Sequence, residues 1–380
     1  MRIITVNGGL GNQTFQYIFA RWLEETTGER VFCNDAEFSL TQKRLSAELK
    51  RKDDPDFKDT SYHNGYEMEY VFPNLRKPLR LSEYFEPDVW QYIMMKMRDM
   101  NSYGDAIAKI IYETGIDLTL VSEPFNEAWE IACKTYPGKK FITPVNSFNS
   151  DMARIPGDVY YRGWWFNEGY FNAYREKFLE EFAFRPITDE RNKEYEREIR
   201  GCFSVGVHVR CDHGGVSDGN VLDTLVPLEV YNRTITDLKK KIPGDAKFFL
   251  FSNRMNWCRE NLTNMGLNDK EVVFVEGNFD FKNNYIDVQL MGMTKVLVCA
   301  GDSTFSFLAC VLNQDPDFYS LLDRRVSTQD LAVMNDPKKL KAAMAAGDDP
   351  KKLMAAFTGQ ALPQTGSNRA MRRKSKRKRG

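Results

Sequence analysis

The sequence predicts an α/β protein built from two doubly wound halves, with a short helical appendage towards its C-terminal end. Residues 3–6 form a strand pattern that passes through a glycine turn into an amphipathic helix and then into strand 31–33, which is a βαβ opening. From residue 203 onward, apolar runs alternate with helical patterns, as is typical of a second parallel sheet. Two such halves facing each other would form a cleft between their strand ends.

We expect four segments along the chain. Residues 1–184 form an N-terminal α/β domain, and residues 185–330 form a second, Rossmann-like domain. Residues 331–366 hold a thirteen-residue repeat whose two copies each begin with Asp-Pro, a pair that starts a helix well. Residues 367–380 form a basic, disordered tail.

The elements of the first half follow from periodicity. Phe15, Ile18, Phe19 and Trp22 repeat at the spacing of one buried helical stripe after the first strand. Helical patterns cover 87–98, 103–114 and 168–182, and a dense aromatic run covers 160–166.

The second half alternates strand and helix more clearly. Strands are expected at 203–210, 247–252, 272–275 and 295–299. Helices are expected at 227–241, 255–264 and 283–293, with a last one that begins near Thr304. Because parallel strands end at one edge of a sheet, the polar residues that follow these strands should share a crevice.

The composition indicates a globular chain, with 42% hydrophobic residues in 380. No run approaches the roughly 20 apolar residues of a spanning helix, and no signal-peptide pattern precedes the first strand, so we expect a cytoplasmic protein. Seven cysteines without a CxxC spacing are expected to be reduced, and histidines at 63, 208 and 213 are too scattered for a metal site.

Charge is distributed unevenly along a chain whose formal net charge is zero. The tail at 367–380 holds eight Lys or Arg and no acidic residue, which leaves 45 basic against 53 acidic residues before it. This tail is either a solubilising end or an arm for peripheral contact with anionic lipid at the inner face of the cell membrane. No nucleic acid is expected as a partner.

The strand at 203–210 carries the most informative motif. His208, Arg210 and Asp212 follow one another at alternate positions, so they project on one face at the end of a buried strand. A guanidinium group is a planar fork of donors that matches phosphate oxygens, so Arg210 is the first candidate for a phosphate contact. The alternative is a strand that ends in a surface ion pair.

A glycine turn, Gly8-Gly9-Leu10-Gly11-Asn12, follows the first strand. A dinucleotide site with Asp35 as its ribose-binding acid is disfavoured, because Thr14 stands where the third glycine belongs. A turn that presents backbone N–H groups and Asn12 to a ligand fits better. The alternative is a structural turn in which Asn12 is a helix cap.

Polar residues follow three further apolar segments of the second half. Ser303, Thr304 and Phe305 begin a helix after strand 295–299, and a helix N-terminus attracts anions. Ser252 and Asn253 end strand 247–252, and Asp287 lies in the helix before strand 295–299. Each could be structural by itself, but their convergence on one crevice indicates a ligand site.

In combination, these motifs resemble glycosyltransferase family 11, and specifically its α-1,2-fucosyltransferases. The matching blocks are the turn Gly8–Tyr17, His208-Val-Arg210, Phe251–Asn253 with Trp257, Phe274–Glu276, Asp287–Met291 and Ser303–Ser306. The resemblance implies a GT-B-like fold, GDP-fucose as donor with no other cofactor, metal-independent transfer with inversion, and a galactose-type acceptor bound on the N-terminal side.

The resemblance also implies roles for these residues. Arg210, Ser303, Thr304 and Phe305 would contact the β-phosphate, while Asp287 and His208 would hold the guanine or ribose. Asn12 would reach the donor or acceptor from the opposite domain, Ser252 and Asn253 would line the donor side, and Asp212 and Glu276 are the candidates for general base.

The sequence departs from the family pattern in two places. Cys211-Asp212-His213 replaces the usual Gly-Asp after the arginine, and Phe307-Leu308 replaces two tryptophans. These departures leave two alternatives open: a related transferase with another GDP-sugar or acceptor, and a binding protein without catalysis.

Overall fold

The computed structural model describes nine ranges that cover most of the chain before residue 323. They are 1–39, 65–99, 103–113, 115–124, 127–211, 226–278, 282–301, 303–315 and 317–322. Met1–Arg324 cluster as one compact unit. The expected repeats at 331–366 and the basic tail at 367–380 lie outside the described residues, as does Asp212.

Two parallel sheets organise this unit. Sheet A has the strand order β3-β2-β1-β6-β4-β5, and sheet B has the order β11-β10-β7-β8-β9. The strands of sheet A are β1 (Arg2–Thr5), β2 (Val31–Asn34), β3 (Leu79–Arg80), β4 (Leu118–Ser122), β5 (Lys140–Ile142) and β6 (Asp158–Arg162). Those of sheet B are β7 (Ser204–Val209), β8 (Lys247–Ser252), β9 (Val272–Phe274), β10 (Val296–Val298) and β11 (Tyr319–Leu321). Every recorded strand pair is parallel, which confirms the predicted α/β class.

Helices connect these strands. Before sheet B they are α1 (Leu10–Thr27), α2 (Met68–Val71), α3 (Leu81–Tyr84), α4 (Pro87–Asp99), α5 (Tyr103–Glu113), α6 (Glu127–Thr135), α7 (Glu168–Asn172), α8 (Arg175–Glu181) and α9 (Glu190–Arg200). Within sheet B they are α10 (Leu228–Lys239), α11 (Met255–Glu260), α12 (Asn284–Met291) and α13 (Thr304–Leu312). Short 3₁₀ helices cover Ser150–Arg154 and Thr263–Met265.

Three expectations need correction. The helix expected at 168–182 is two helices, α7 and α8, because Tyr174 leaves helical geometry with φ −136° and ψ 39°. The helix expected to reach residue 264 ends at Glu260, and a 3₁₀ turn follows. The sequence indicated no strand at β3, β4, β5, β6 or β11, of which three have only two or three residues, too few to show a period.

Strand β7 also differs from its expected pattern. The alternation predicts one buried and one polar face, yet all six residues of β7 are buried. In a parallel sheet, helices cover both faces of a central strand, so His208 is enclosed rather than presented to solvent.

One hydrophobic core joins the helices of the two sheets. It contains Phe15 from α1 and Phe307 from α13, whose rings stack at 5.0 Å, and Phe166 contacts Phe15 edge-on at 5.5 Å. Phe307 and Leu308, which depart from the family pattern, are buried in this contact. Their substitution for tryptophan therefore affects the packing of α13 on α1.

A buried cation fixes α1 to α8. Arg21 is 1% exposed, and its guanidinium donates to Glu24 (2.6 Å), Glu25 (2.7 Å) and Glu181 (2.6 Å). The three carboxylates satisfy all three nitrogens, which a buried guanidinium requires.

Arg21→Met should lower the free energy of unfolding by about 3–5 kcal/mol, because it leaves buried carboxylates without their main partner. The matched control is Arg154→Met, whose exposed guanidinium pairs with Asp151 at 3.1 Å and should contribute about 0–1 kcal/mol. Urea unfolding of both variants measures the difference. Equal losses would contradict the structural role of Arg21.

Candidate functional site

The candidate site lies at the topological switch point of sheet B, where the strand order reverses. From β7 the chain continues to β8 on one side, whereas β10 lies on the other side with Val298 opposite Val207. In open α/β sheets, ligands bind outside the carboxyl ends of the strands at such a reversal. Arg210, just after β7, and the loop from Ala300 to Thr304, just after β10, flank this point.

His208 is the most enclosed polar side chain near the reversal. It is 5% exposed, and its Nδ1 has no hydrogen-bond partner among the described residues. Burial, together with the nearby Arg210 charge, lowers the pKa of His208 to about 3. The imidazole is therefore neutral at working pH and can accept or donate a hydrogen bond, but it is too weak a base to take a proton in catalysis.

Arg210 follows His208 at the end of β7 and is partly exposed. Asn253 joins the ends of β7 and β8: its Oδ1 accepts from Cys211 N (3.0 Å), and its Nδ2 donates to Cys211 O (3.1 Å). Ser252 Oγ accepts from Arg254 N at 3.0 Å. Asn253 and Ser252 therefore hold the backbone at the ends of β7 and β8, next to Arg210.

The N-terminus of α13 follows β10 and lies on the other side of this switch point. Gly301 has φ +57°, and Ser303 caps the helix without a side-chain cap bond. Ser306 Oγ instead accepts from Ala300 N at 3.3 Å and thereby holds the loop against the helix. The first-turn N–H groups of a helix lack intrahelical acceptors, so this end favours an anion.

Thr304 connects the two halves directly. Its Oγ1 donates to Asn12 Oδ1 at 2.9 Å. Gly11 makes this approach feasible, because a Cβ there would lie 2.6 Å from Thr304 Oγ1 and 2.8 Å from its carbonyl carbon. Asn12 therefore contacts the second half, and its predicted role in reaching the donor or acceptor stays a prediction. Phe305 lies beside His208, with ring centroids 6.1 Å apart.

Asp287 belongs to a buried polar network on the β9 side. Its Oδ1 accepts from Asn278 Nδ2 (2.8 Å), and Asn278 and Asn192 exchange hydrogen bonds of 2.8 and 2.9 Å. Asn192 in turn is bound by Asp189, the cap of α9. Burial raises the pKa of Asp287 to about 7, although the Asn278 bond opposes the shift.

The two other candidate acids occupy different surroundings. Asp35 is buried and accepts from Ser82 N at 3.0 Å, so it serves the start of α3. Glu276, a candidate base, is exposed and pairs with Arg259 at 2.7 Å. The role predicted for Glu276 stays a prediction.

Sequence reasoning missed the residues that hold sheet A's strand ends. Gln16 Oε1 accepts from Asn7 N (2.8 Å), and its Nε2 donates to Asn7 Oδ1 (2.8 Å) and Gly163 O (3.1 Å). Burial raises the pKa of the nearby Glu37 carboxyl, and the polar Asn7 side chain and Gly8 N–H oppose that shift. In the sequence, Glu37 could have been noticed as a carboxylate that comes shortly after the second strand.

Two absences hold for the described part of the chain. There, no group of three or more His, Cys, Asp or Glu is arranged to hold a metal ion. No helix within those ranges is long and apolar enough to cross a membrane. The seven cysteines are free thiols, and five of them are buried.

Part of the chain is similar to a known family. Residues 143–323 match the model described as glycosyl transferase family 11. An alpha-1,2-colitosyltransferase from Escherichia coli is 25% identical over 310 residues, which cover 81% of this chain and 86% of that protein.

Solved structures of fucosyltransferases are also similar. A mutant of Arabidopsis thaliana FUT1 in complex with GDP has a TM-score of 0.40 at 12% identity, over 82% of this chain and 68% of that one. The fucosyltransferase NodZ from Bradyrhizobium has a TM-score of 0.40 at 11% identity, over 81% and 91%.

Gly11→Ala should destabilise the protein by about 1–3 kcal/mol, because the new methyl group would overlap Thr304 backbone and force α13 away from α1. Gly244→Ala is the matched control, since a Cβ there meets nothing within 4 Å. Thermal and urea unfolding measure both. A Gly11 variant as stable as the control would contradict the close approach.

Proposed function

We propose that this chain, whose residues 143–323 match glycosyl transferase family 11, is a member of that family and transfers fucose from GDP-fucose to a glycan hydroxyl with inversion. The proposed acceptor position is galactose O-2, in surface glycan synthesis. The linkage named for the similar Escherichia coli protein, alpha-1,2, supports that position.

One observation carries the proposal. Arg210 and the first turn of α13 flank the strand reversal of sheet B, and Asn12 of the other half bonds to that same turn at Thr304. This arrangement offers a fixed cation and helix N–H groups for a diphosphate, next to a second sheet that can carry an acceptor.

Sugar transfer from a nucleotide donor requires groups that stabilise negative charge on the leaving phosphate. As the bond from the anomeric carbon to the β-phosphate breaks, negative charge develops on that phosphate. Arg210 stays protonated at any working pH, and Thr304 and Phe305 begin the helix whose dipole favours the same charge. These donors would stabilise the leaving GDP without a metal ion.

The position of Asp287 supports the nucleotide assignment. Neighbouring strands lie about 4.8 Å apart, so the β9 side of the crevice is about 10 Å from β7. Asp287 and Asn278 lie on that side, whereas Arg210 lies at β7. A carboxylate there can accept both N–H donors of a guanine while the diphosphate stays near Arg210.

A second candidate is transfer of a related deoxysugar with the same linkage. The similar Escherichia coli protein is named a colitosyltransferase, which favours this alternative. Competition between GDP-fucose and other GDP-sugars for the same acceptor distinguishes the two.

Arg210→Ala should lower acceptor-dependent GDP release from GDP-fucose by about 10²–10³-fold, because the leaving phosphate loses its main cation. We expect chelator to leave the unmodified chain fully active. A panel of galactose-terminated acceptors is used, and Arg233→Ala, an exposed arginine of α10, is the control.

Two outcomes would contradict this prediction. Equal rates for the Arg210 variant and its control would exclude the phosphate role of Arg210. Measurable GDP-fucose binding with no release for any acceptor would favour a binding protein over a transferase.

Asp287→Asn should raise the stability of the protein at high pH while it weakens donor binding. The folded pKa of about 7 lies above the unfolded value near 3.8, so the folded carboxylate is disfavoured and stability falls as pH rises between those values. At pH 8 the Asn variant should therefore unfold about 2–5 °C higher than the unmodified chain.

The same variant should bind GDP about ten-fold or more weakly, since an amide cannot accept both guanine donors. Calorimetry with GDP and inosine diphosphate, which lacks the 2-amino group, measures the loss. The unmodified chain should prefer GDP and the variant should not. An unchanged preference would place guanine elsewhere.

A further inference from the structure

The first turn of α9 lies against the turn that follows β9. Arg191 of α9 donates through Nη2 to Gly277 O at 2.8 Å and to Asn278 Oδ1 at 3.3 Å. Gly277 has φ +87°, and a Cβ there would overlap the Arg191 guanidinium, so only glycine fits this turn. The turn that carries Asn278 is therefore fixed by its contact with α9.

The side-chain amide of Asn278 makes all the hydrogen bonds that it can make. Its Nδ2 donates to Asp287 Oδ1 at 2.8 Å and to Asn192 Oδ1 at 2.9 Å. Its Oδ1 accepts from Asn192 Nδ2 at 2.8 Å and from Arg191. An amide has two N–H donors and two acceptor lone pairs, and Asn278 is only 2% exposed. Asn278 therefore holds its neighbours in place and is not itself available to a ligand.

Charged neighbours decide which way this amide faces. Asp189 can only accept, and its carboxylate oxygens bind Asn192 Nδ2 at 2.9 and 3.0 Å, which fixes the Asn192 amide. Arg191 can only donate, so the atom of Asn278 that faces it must be Oδ1. The atom of Asn278 that faces Asp287 is then Nδ2. A flipped amide would place its oxygen against the Asp287 carboxylate and its N–H groups against a guanidinium.

Asp287 depends on this donor for its orientation. The last torsion of an aspartate side chain is broad, so the side chain alone does not set the plane of its two oxygens. The bond from Asn278 holds Oδ1 at 2.8 Å and thereby fixes the plane of the carboxyl group. Guanine presents two parallel N–H donors on one edge, and a carboxylate accepts both only when its oxygens lie close to the plane of the base.

We propose that Asn278 is the positioning residue that aligns the Asp287 carboxylate for guanine, an inference that rests on the proposed function. Asp189, Arg191 and Asn192 orient Asn278, and Asn278 orients Asp287. Only the last of these side chains contacts the base. Selectivity for guanine over a purine without the 2-amino group then depends on residues that do not touch the nucleotide.

Asn278→Ala tests the role, because it removes the donor to Asp287 and leaves Asp287 itself unchanged. Calorimetry measures the ratio of the dissociation constants of inosine diphosphate and GDP. We expect this ratio to be about ten or more for the unmodified chain and below about three for the variant. The change should come from weaker GDP binding, while the affinity for inosine diphosphate changes by less than about three-fold.

Asn34→Ala is the matched control. Asn34 is a buried asparagine of sheet A, and its Nδ2 donates to Tyr160 Oη at 2.7 Å. Both variants lose hydrogen bonds of a buried amide, so both should lower the melting temperature. Only Asn278→Ala should change the ratio of the two dissociation constants. A similar fall in the ratio for Asn34→Ala would assign the effect to general destabilisation and overturn the proposal.

Arg191→Met provides a second measurement that leaves the buried amides intact. Arg191 is exposed, so the variant should fold, but the turn at Gly277 and Asn278 loses two hydrogen bonds. We expect a ratio between those of the unmodified chain and Asn278→Ala. If Asn278→Ala does not fold, an unchanged ratio for Arg191→Met would overturn the proposal.

The outcomes separate the role of Asn278 from the proposed function. A ratio near one for the unmodified chain would overturn the guanine contact proposed for Asp287 and the role of Asn278 with it. A ratio that Asp287→Asn abolishes, but that Asn278→Ala and Arg191→Met retain, would overturn the role of Asn278 alone.

Discussion

The contact between the first turns of α1 and α13 is the constraint on which the candidate site depends. Gly11 leaves space for Thr304, whose hydroxyl donates to Asn12, and Phe15 stacks on Phe307 one helical turn further on. Each helix begins directly after a central strand of its own sheet. Their contact therefore brings the ends of these two strands to one place.

The surroundings of the site fix the protonation states of its side chains. Burial keeps His208 neutral and makes ionisation of Asp287 costly, while Arg210 stays charged. An enclosed, fixed set of donors stabilises developing charge without the reorganisation that water would need. Asn278 and Asn192 hold the Asp287 carboxyl in place despite this cost.

The polar groups at the junction differ between the two halves. Sheet B is followed by the guanidinium of Arg210 and by the first-turn N–H groups of α13, which suit an anion. The first half contributes neutral amides: Asn12 accepts from Thr304, and Gln16 donates to Asn7. Cationic and N–H donors therefore come from one half, and neutral side chains come from the other.

The sequence alone determined the α/β class, strands β1, β2, β7, β8, β9 and β10, and the motif residues, because strand and helix periods and glycine turns are local signals. It did not indicate the central strand β6, the two-residue strand β3 or the break at Tyr174, where tertiary packing overrides local pattern. Only the tertiary structure decided that Asn253 bonds to the backbone of Cys211 and that Asn12 accepts a hydrogen bond from Thr304. Those contacts join residues far apart in the chain, and no local period encodes them.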